Sequence, residues 1–175
     1  TVPDILHQCG EHGVRAAIIL SAGFTDNGQP NQLQQAMLQA ARQYGIRILG
    51  PNCLGLIRPG AGLNATFSNN IAQRGKLALI SQSGALCTAI LDWAANRNIG
   101  FSAVVSLGDA TDVDFGSMLD YLALDHETHG IILYIEGIRD ARGFMSGLRS
   151  AARMKPVVAL KVGRHQASAQ AALSH

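Results

Sequence analysis

The sequence contains no apolar run long enough to cross a bilayer as a helix. It lacks the basic, apolar and small-residue succession of a signal peptide. No basic run alternates with aromatics, and a net charge of +2 argues neither for nor against a polyanion. No membrane and no nucleic-acid partner is therefore expected. Cysteine is scarce: Cys9, Cys53 and Cys87 are far apart, odd in number and never spaced Cys-x-x-Cys. That argues against a disulfide framework or a zinc site, and a reducing cytoplasm is the expected location. Charge is scarce too, at 15% of residues.

What is present is apolar and glycine-rich. A chain of 175 residues can build one good core, or two small or incomplete ones. At 47% hydrophobic it is globular rather than disordered. Its 19 glycines suit buried parallel strands joined by tight turns. The chain opens without an initiator Met, inside a helix-like pattern, and closes on "AALSH" with no sign of a boundary. A fragment of a longer protein is expected.

Periodicity divides the chain in two. "PDILHQCGEHG" predicts a short amphipathic helix, "VRAAIILSA" a buried strand over Ala16 to Leu20, and "GFTDNGQPN" a turn-rich loop. "QLQQAMLQAARQYG" predicts a helix closed by Gly45 as a left-handed cap, and "IRILG" a second strand leading into "PNCLGLI". Two parallel strands with their helices make only half of a doubly wound sheet. "RPGAGLNATFSNNIAQRG" is rich in Gly, Asn and Pro and has no period. The expected division is a first unit over 1–60, a linker over 61–74 and a second unit over 75–175. That unit alternates strictly: "KLALI", "SAVVSL", "GIILYI" and "PVVAL" as strands, with helices between. Such alternation predicts an α/β parallel sheet covered on both faces, with ligands beyond the carboxyl ends of its strands.

Ser81-Gln82-Ser83-Gly84 falls where the first strand of the second unit becomes a helix. A helix N-terminus has unpartnered N–H groups and a dipole that favours anions, so this turn fits a phosphate cradle. It fits a plain serine cap equally well. A nucleophile elbow, Gly-x-Ser-x-Gly, lacks its first glycine, since Ser81 stands there. Glu136 follows the strand "GIILYI" and falls at the same edge, either as a solvated residue or placed to orient an imidazole. His175 closes the chain among small residues; a histidine oriented by a carboxylate can take a phosphoryl group. His126 and His129 make a weak metal signal, and no metal site is expected. Of Asp109, Asp112 and Asp114, one is expected to cap the following helix. Ser21-Ala22-Gly23 and Gly50-Pro51-Asn52-Cys53 end the strands of the first unit, where turn chemistry alone could also explain them. Cys53 has no accompanying His–Asx pattern for a nucleophile.

Taken in order, "GPNCLGLI", "GKLALISQSGAL", "SLGDATDVDFGSMLDYLALD", "YIEGIRD", "KPVVALKVGR" and the terminal "SH" resemble the nucleoside-diphosphate-forming acyl-CoA synthetases. More distantly they resemble the α subunit of succinyl-CoA synthetase. "LNATFS", "RGKLALISQS", "ILDWA" and "ILYIEGIRDARGFMS" look closest to the synthetase-like half of bacterial protein lysine acetyltransferases. The resemblance implies a partial Rossmann CoA-binding unit followed by a flavodoxin-like ligase domain. Ser21, Ala22, Gly23, Asn52 and Cys53 would contact CoA. Ser81, Gln82, Ser83 and Gly84 would receive phosphate, His175 would be phosphorylated, and Glu136 would orient it. CoA is one implied ligand, and ATP or ADP with Mg2+ another, held by an ATP-grasp domain or subunit outside this chain. Acyl-CoA or a carboxylic acid and phosphate are the implied substrates, and a homo-oligomer the implied assembly. The likeness to the fused proteins also implies an alternative: a CoA- or acetyl-CoA-binding regulatory module joined to an acetyltransferase domain, without ligase turnover.

Overall fold

The computed structural model describes residues 1–68 and 71–163. Its first unit runs α1 (Val2–Glu11), β1 (Ala16–Ile18), β2 (Thr25–Asp26), β3 (Gln29–Pro30), α2 (Gln32–Tyr44) and β4 (Arg47–Leu49). Strands β1 and β4 pair in parallel, with Ala17 opposite Ile48. Asn31 caps α2 by accepting from Gln34 N–H, and Gly45 ends it in the left-handed conformation at φ 68°, as its sequence predicts. The loop read as turn-rich is a hairpin: β2 and β3 are antiparallel around Asn27 and Gly28, both with positive φ. Asn-Gly is the favoured pair for that turn.

Because successive strand residues face opposite sides, this two-stranded piece has two jobs. Ile19 and Ile48 pack with Leu6, Phe24, Met37 and Ala40 under α1 and α2. Leu49, together with Cys53, packs the other way, into the main cluster of the second unit. The two units thus share a core.

The second unit continues with β5 (Gly55–Arg58), a 3-10 turn (Pro59–Ala61), β6 (Leu63–Thr66), β7 (Arg74–Ser81), α3 (Gly84–Ala95), β8 (Phe101–Ser106), α4 (Phe115–Leu124), β9 (Gly130–Ile135), α5 (Ala141–Met154) and β10 (Val157–Lys161). Among the described residues these strands form one six-stranded sheet in the order β10-β9-β7-β8-β5-β6. The four expected strands are parallel. Ala78, Ile80, Ile131 and Leu133 pack toward α4 and α5, while Leu79 and Val104 pack toward α3. Both faces are covered at β7, β8 and β9, as their continuous apolar runs require, whereas Val158 and Leu160 of β10 are exposed.

One expectation needs correction. The segment 61–74 is not a bare linker, since β6 lies within it and pairs antiparallel with β5. Strand β5, grouped with the first unit on sequence, pairs antiparallel with β8 of the second. Gly55 permits this hairpin: it has φ 115°, and a Cβ there would stand 2.1 Å from the Ala65 carbonyl oxygen. Among the described residues no helix is long and apolar enough to cross a membrane.

Candidate functional site

Strands β7 and β9 are neighbours, while β8 lies on the far side of β7. The chain therefore leaves β7 in one direction and returns to β9 in the other. That reversal opens a crevice at the carboxyl ends of β7 and β9. Ser81 ends β7, α3 begins at Gly84, and Glu136 follows β9 directly.

The turn divides its work residue by residue. Ser81 is fully buried. Its hydroxyl accepts from Ser83 N–H at 3.0 Å and donates to Ser83 O at 2.9 Å. It shapes the turn and faces no solvent. Ser83 is the N-cap, with extended backbone (φ −93°, ψ 117°), and its Oγ accepts from Leu86 N–H at 3.3 Å. An elbow nucleophile needs a strained backbone, which Ser83 does not have. Gly84 and Ala85 donate their N–H groups to no partner among the described residues. They are the open donors of the helix end, where the dipole favours negative charge. Gln82 reaches across the crevice, its Oε1 accepting from Glu136 N–H at 2.7 Å and Gly137 N–H at 3.0 Å.

A shallow cleft adjoins this turn, lined in part by Gln82, Ala110, Asp114, Gly137, Arg139 and Asp140. Its two carboxylates are engaged as caps. Asp114 Oδ1 accepts from Ser117 N–H and Oγ–H, each at 2.9 Å, and Asp140 Oδ1 from the N–H groups of Arg142 and Gly143, each at 3.0 Å. Among the described residues no group of three or more His, Cys, Asp or Glu comes together as a metal site.

The first unit ends its strands against the same edge. Ser21, Ala22 and Gly23 are exposed beyond β1. Ser21 O accepts from Asn52 N–H at 3.0 Å, which joins the loops after β1 and β4. Asn52 has φ 57°, and its Nδ2 donates to Asp109 Oδ1 at 3.2 Å. Leu54 N–H donates to Ser106 Oγ at 3.0 Å, and a Cβ on Gly84 would stand 3.3 Å from Leu54 Cβ. The loop after β4 therefore abuts the start of α3. Cys53 lies differently from its neighbour: it is buried, and its Sγ–H points at Ile19 O at 3.4 Å. Burial, with a contribution from the Asp109 charge, pushes its thiol up to about 11. The thiol belongs to the core, not to the accessible edge.

The Asp-rich turn holds residues whose importance the sequence did not reveal. Besides Asp109 on Asn52 and Asp114 on α4, Asp112 accepts from Ile48 N–H at 2.7 Å and from Arg47 Nε at 3.0 Å. Thr111 N–H donates to Gly50 O and Val113 N–H to Ile48 O. Residues 111–113 thus cover the free edge of β4. The local signal was an acidic cluster, but the partners lie 57 to 65 residues away. His175 lies outside the described residues.

Comparison with known proteins agrees with this architecture. Residues 1–59 match a family model described as a CoA binding domain, and residues 74–175 one described as a succinyl-CoA ligase like flavodoxin domain. The chain is 43% identical over 175 residues to an ADP-forming acetate–CoA ligase of Archaeoglobus fulgidus, covering 99% of this chain and 26% of that protein. It is 42% identical to the α subunit of ADP-forming acetate–CoA ligase I of Pyrococcus furiosus, covering 99% and 38%. A solved dinucleotide-forming acetyl-coenzyme A synthetase of Ca. Korarchaeum cryptofilum, in complex with phosphate and ADP, superposes with TM-score 0.91 at 37% identity, covering 99% of this chain and 38% of that one. The chain therefore spans between 26% and 38% of the length of these relatives. These relatives are named as CoA ligases or synthetases, so the regulatory-module alternative gains no support from them. With a CoA binding domain followed by a succinyl-CoA-ligase-like flavodoxin domain, the chain belongs to the succinyl-CoA-ligase-like family of CoA ligases.

Proposed function

We propose that this chain is the CoA-binding and phosphate-handling part of an ADP-forming acyl-CoA synthetase. One observation supports the reading: α3 starts at Gly84 just after β7, Glu136 directly follows the neighbouring strand β9, and Gln82 bridges the two by accepting from Glu136 N–H. The exposed loops Ser21–Gly23 and Asn52 lie beyond the neighbouring strand ends. The two matched spans support functional units of 1–60 and 75–175, with β5 and β6 tying the first to the sheet of the second.

In the ATP-forming direction, inorganic phosphate sits at the start of α3, taking hydrogen bonds from Gly84 N–H, Ala85 N–H and the Ser83 hydroxyl. Its oxygen attacks the thioester carbonyl of acyl-CoA. A C–O bond forms, the C–S bond breaks, and CoA leaves as its thiol once protonated. A nitrogen of His175 then attacks the acyl phosphate. The N–P bond forms as the P–O bond to the carboxylate breaks, and the free acid departs. Glu136 accepts a hydrogen bond from the other ring nitrogen, which aims the imidazole and stabilises the cation that develops. ADP with Mg2+, on an ATP-grasp domain or subunit outside this chain, takes the phosphoryl group from the histidine. The reverse sequence makes acyl-CoA.

Ser21, Ala22, Gly23 and Asn52 would hold CoA through exposed backbone and one amide side chain. Ser81 and Cys53 act by shaping their turns, because both are buried. The relatives' names make acetyl-CoA the substrate to try first. The proposed location is the cytoplasm, supported by three free cysteines. The test is to give the full-length parent labelled ATP and Mg2+. Acid-labile, base-stable label should appear and should vanish in His175→Ala. Label that survives the substitution would remove the phosphohistidine from the mechanism.

A further inference from the structure

Serine hydroxyls account for the shape of the Ser81–Gly84 turn, but not for the glutamine between them. Strands β7 and β9 pair in parallel as far as Ser81 and Tyr134. One more rung follows, from Gln82 N–H to Tyr134 O at 3.2 Å. The β7 backbone then turns away into α3, taking with it the carbonyl that would have met the next amides of the neighbouring chain. Gln82 replaces that carbonyl with its side chain. Its Oε1 accepts from Glu136 N–H at 2.7 Å and Gly137 N–H at 3.0 Å. Both neighbours are N–H donors, so the oxygen of the amide must be the atom that faces them.

Glu136 is gripped from the other side as well. Lys161 Nζ donates to Glu136 O at 3.0 Å, and Val162 N–H to Ile135 O at 3.0 Å. A Cβ on Gly137 would meet nothing within 4 Å, so crowding does not fix the residue after Glu136. Hydrogen bonds to Gln82 on one side and from Lys161 and Val162 on the other hold the peptide planes from which the Glu136 side chain departs.

We infer that Gln82 is a positioning residue whose side-chain carbonyl fixes the backbone of Glu136 and so aims its carboxylate. The task of that carboxylate rests on the phosphohistidine reading; the clamp itself does not. The competing role is a phosphate ligand acting through the Gln82 NH2 group.

Two variants of the full-length parent separate these roles. Gln82→Met keeps the length and loses both acceptor and donor. Gln82→Glu keeps an acceptor oxygen and loses the NH2 donors. Hydrogen exchange over residues 134–140, followed by mass spectrometry, should quicken by up to about tenfold in Gln82→Met, the change expected for a lost hydrogen bond. It should stay at the wild-type rate in Gln82→Glu. Formation of phosphohistidine from acetyl-CoA and labelled inorganic phosphate should slow on the order of 100-fold in Gln82→Met, as for a misplaced reacting group. The KM for phosphate, measured with acetyl-CoA, ADP and Mg2+, should not change. Should the Met variant fail to fold, Gln82→Ala gives the same readout. Unchanged exchange in Gln82→Met would overturn the clamp. A raised phosphate KM with kcat retained would overturn it in favour of a phosphate ligand. Wild-type protein that takes no label would instead defeat the ligase reading, and the exchange rates alone would then decide the clamp.

Discussion

Replacing Asp112 with alanine should loosen the seam between the two units. Ile48 is fully buried, and its N–H on the outer edge of β4 is satisfied by Asp112 Oδ2 at 2.7 Å. Removing the acceptor strands a buried donor, at a cost of about 1–3 kcal/mol. The ion pair to Arg47 adds little, because the Arg47 side chain is 57% exposed; such pairs contribute about 0–1 kcal/mol. Asp112→Ala should therefore cost about 2–3 kcal/mol. Asp112→Asn, which keeps an oxygen for Ile48, and Arg47→Ala should each cost less than about 1 kcal/mol. Urea unfolding followed by circular dichroism reads this directly. With an m-value of about 1–3 kcal/mol/M, the alanine variant should lower the midpoint by about 1 M. Equal losses in Asp112→Ala and Arg47→Ala would mean that the ion pair, not the covered strand edge, holds the seam. A loss below about 0.5 kcal/mol in Asp112→Ala would mean that neither does.

Three further outcomes are expected. Arg58 pairs with Asp125 at 2.8 Å, and Thr128 still donates to that carboxylate when the arginine is removed, so Arg58→Met should cost about 1–3 kcal/mol, the worth of a hydrogen bond to a charged group. Burial alone would raise the Asp125 carboxyl, but hydrogen bonds from Thr128 and Arg58 outweigh it and hold it below the ordinary 3.8. Its stabilisation is therefore present above that value and lost as pH falls through the lowered folded value; acid titration of Arg58→Met should unfold at higher pH than wild type. Gly55→Ala should destabilise by more than about 1 kcal/mol, since φ 115° and the Ala65 carbonyl leave no room for a methyl group; thermal unfolding checks it. Burial pushes the Cys53 and Cys87 thiols up to about 11. A thiol reagent at pH 8 should therefore label Cys9 alone in the native chain and all three cysteines in denaturant, so native labelling of Cys53 or Cys87 would contradict their burial.

Much of this molecule was legible in its sequence because the signals are local. "KLALI", "SAVVSL" and "GIILYI" announce buried parallel strands by composition alone, since both faces of each are covered. Gly45, Ser83 and one aspartate of the 109–114 turn announce helix ends, because each of these caps bonds to residues three or four positions away. Strict alternation of strand and helix set the class of fold and the edge on which Ser81–Gly84 and Glu136 lie.

Other features depended on residues distant in the chain, and no local pattern could specify them. Strands β5 and β6 join the large sheet through backbone pairing, which leaves little trace in side-chain period when half of β6 is exposed. The Asp-rich turn looked like one cap and proved to be three separate contacts, two of them to the first unit. Cys53 and Asn52 are adjacent, yet one faces the core and the other the edge, because the backbone turns through a left-handed residue between Pro51 and Cys53. Gln82 could be recognised as polar and near the turn from its sequence. That its oxygen replaces a missing backbone carbonyl became visible only once β9 lay beside β7, since hydrogen bonding is directional and the donors belong to residues 136 and 137.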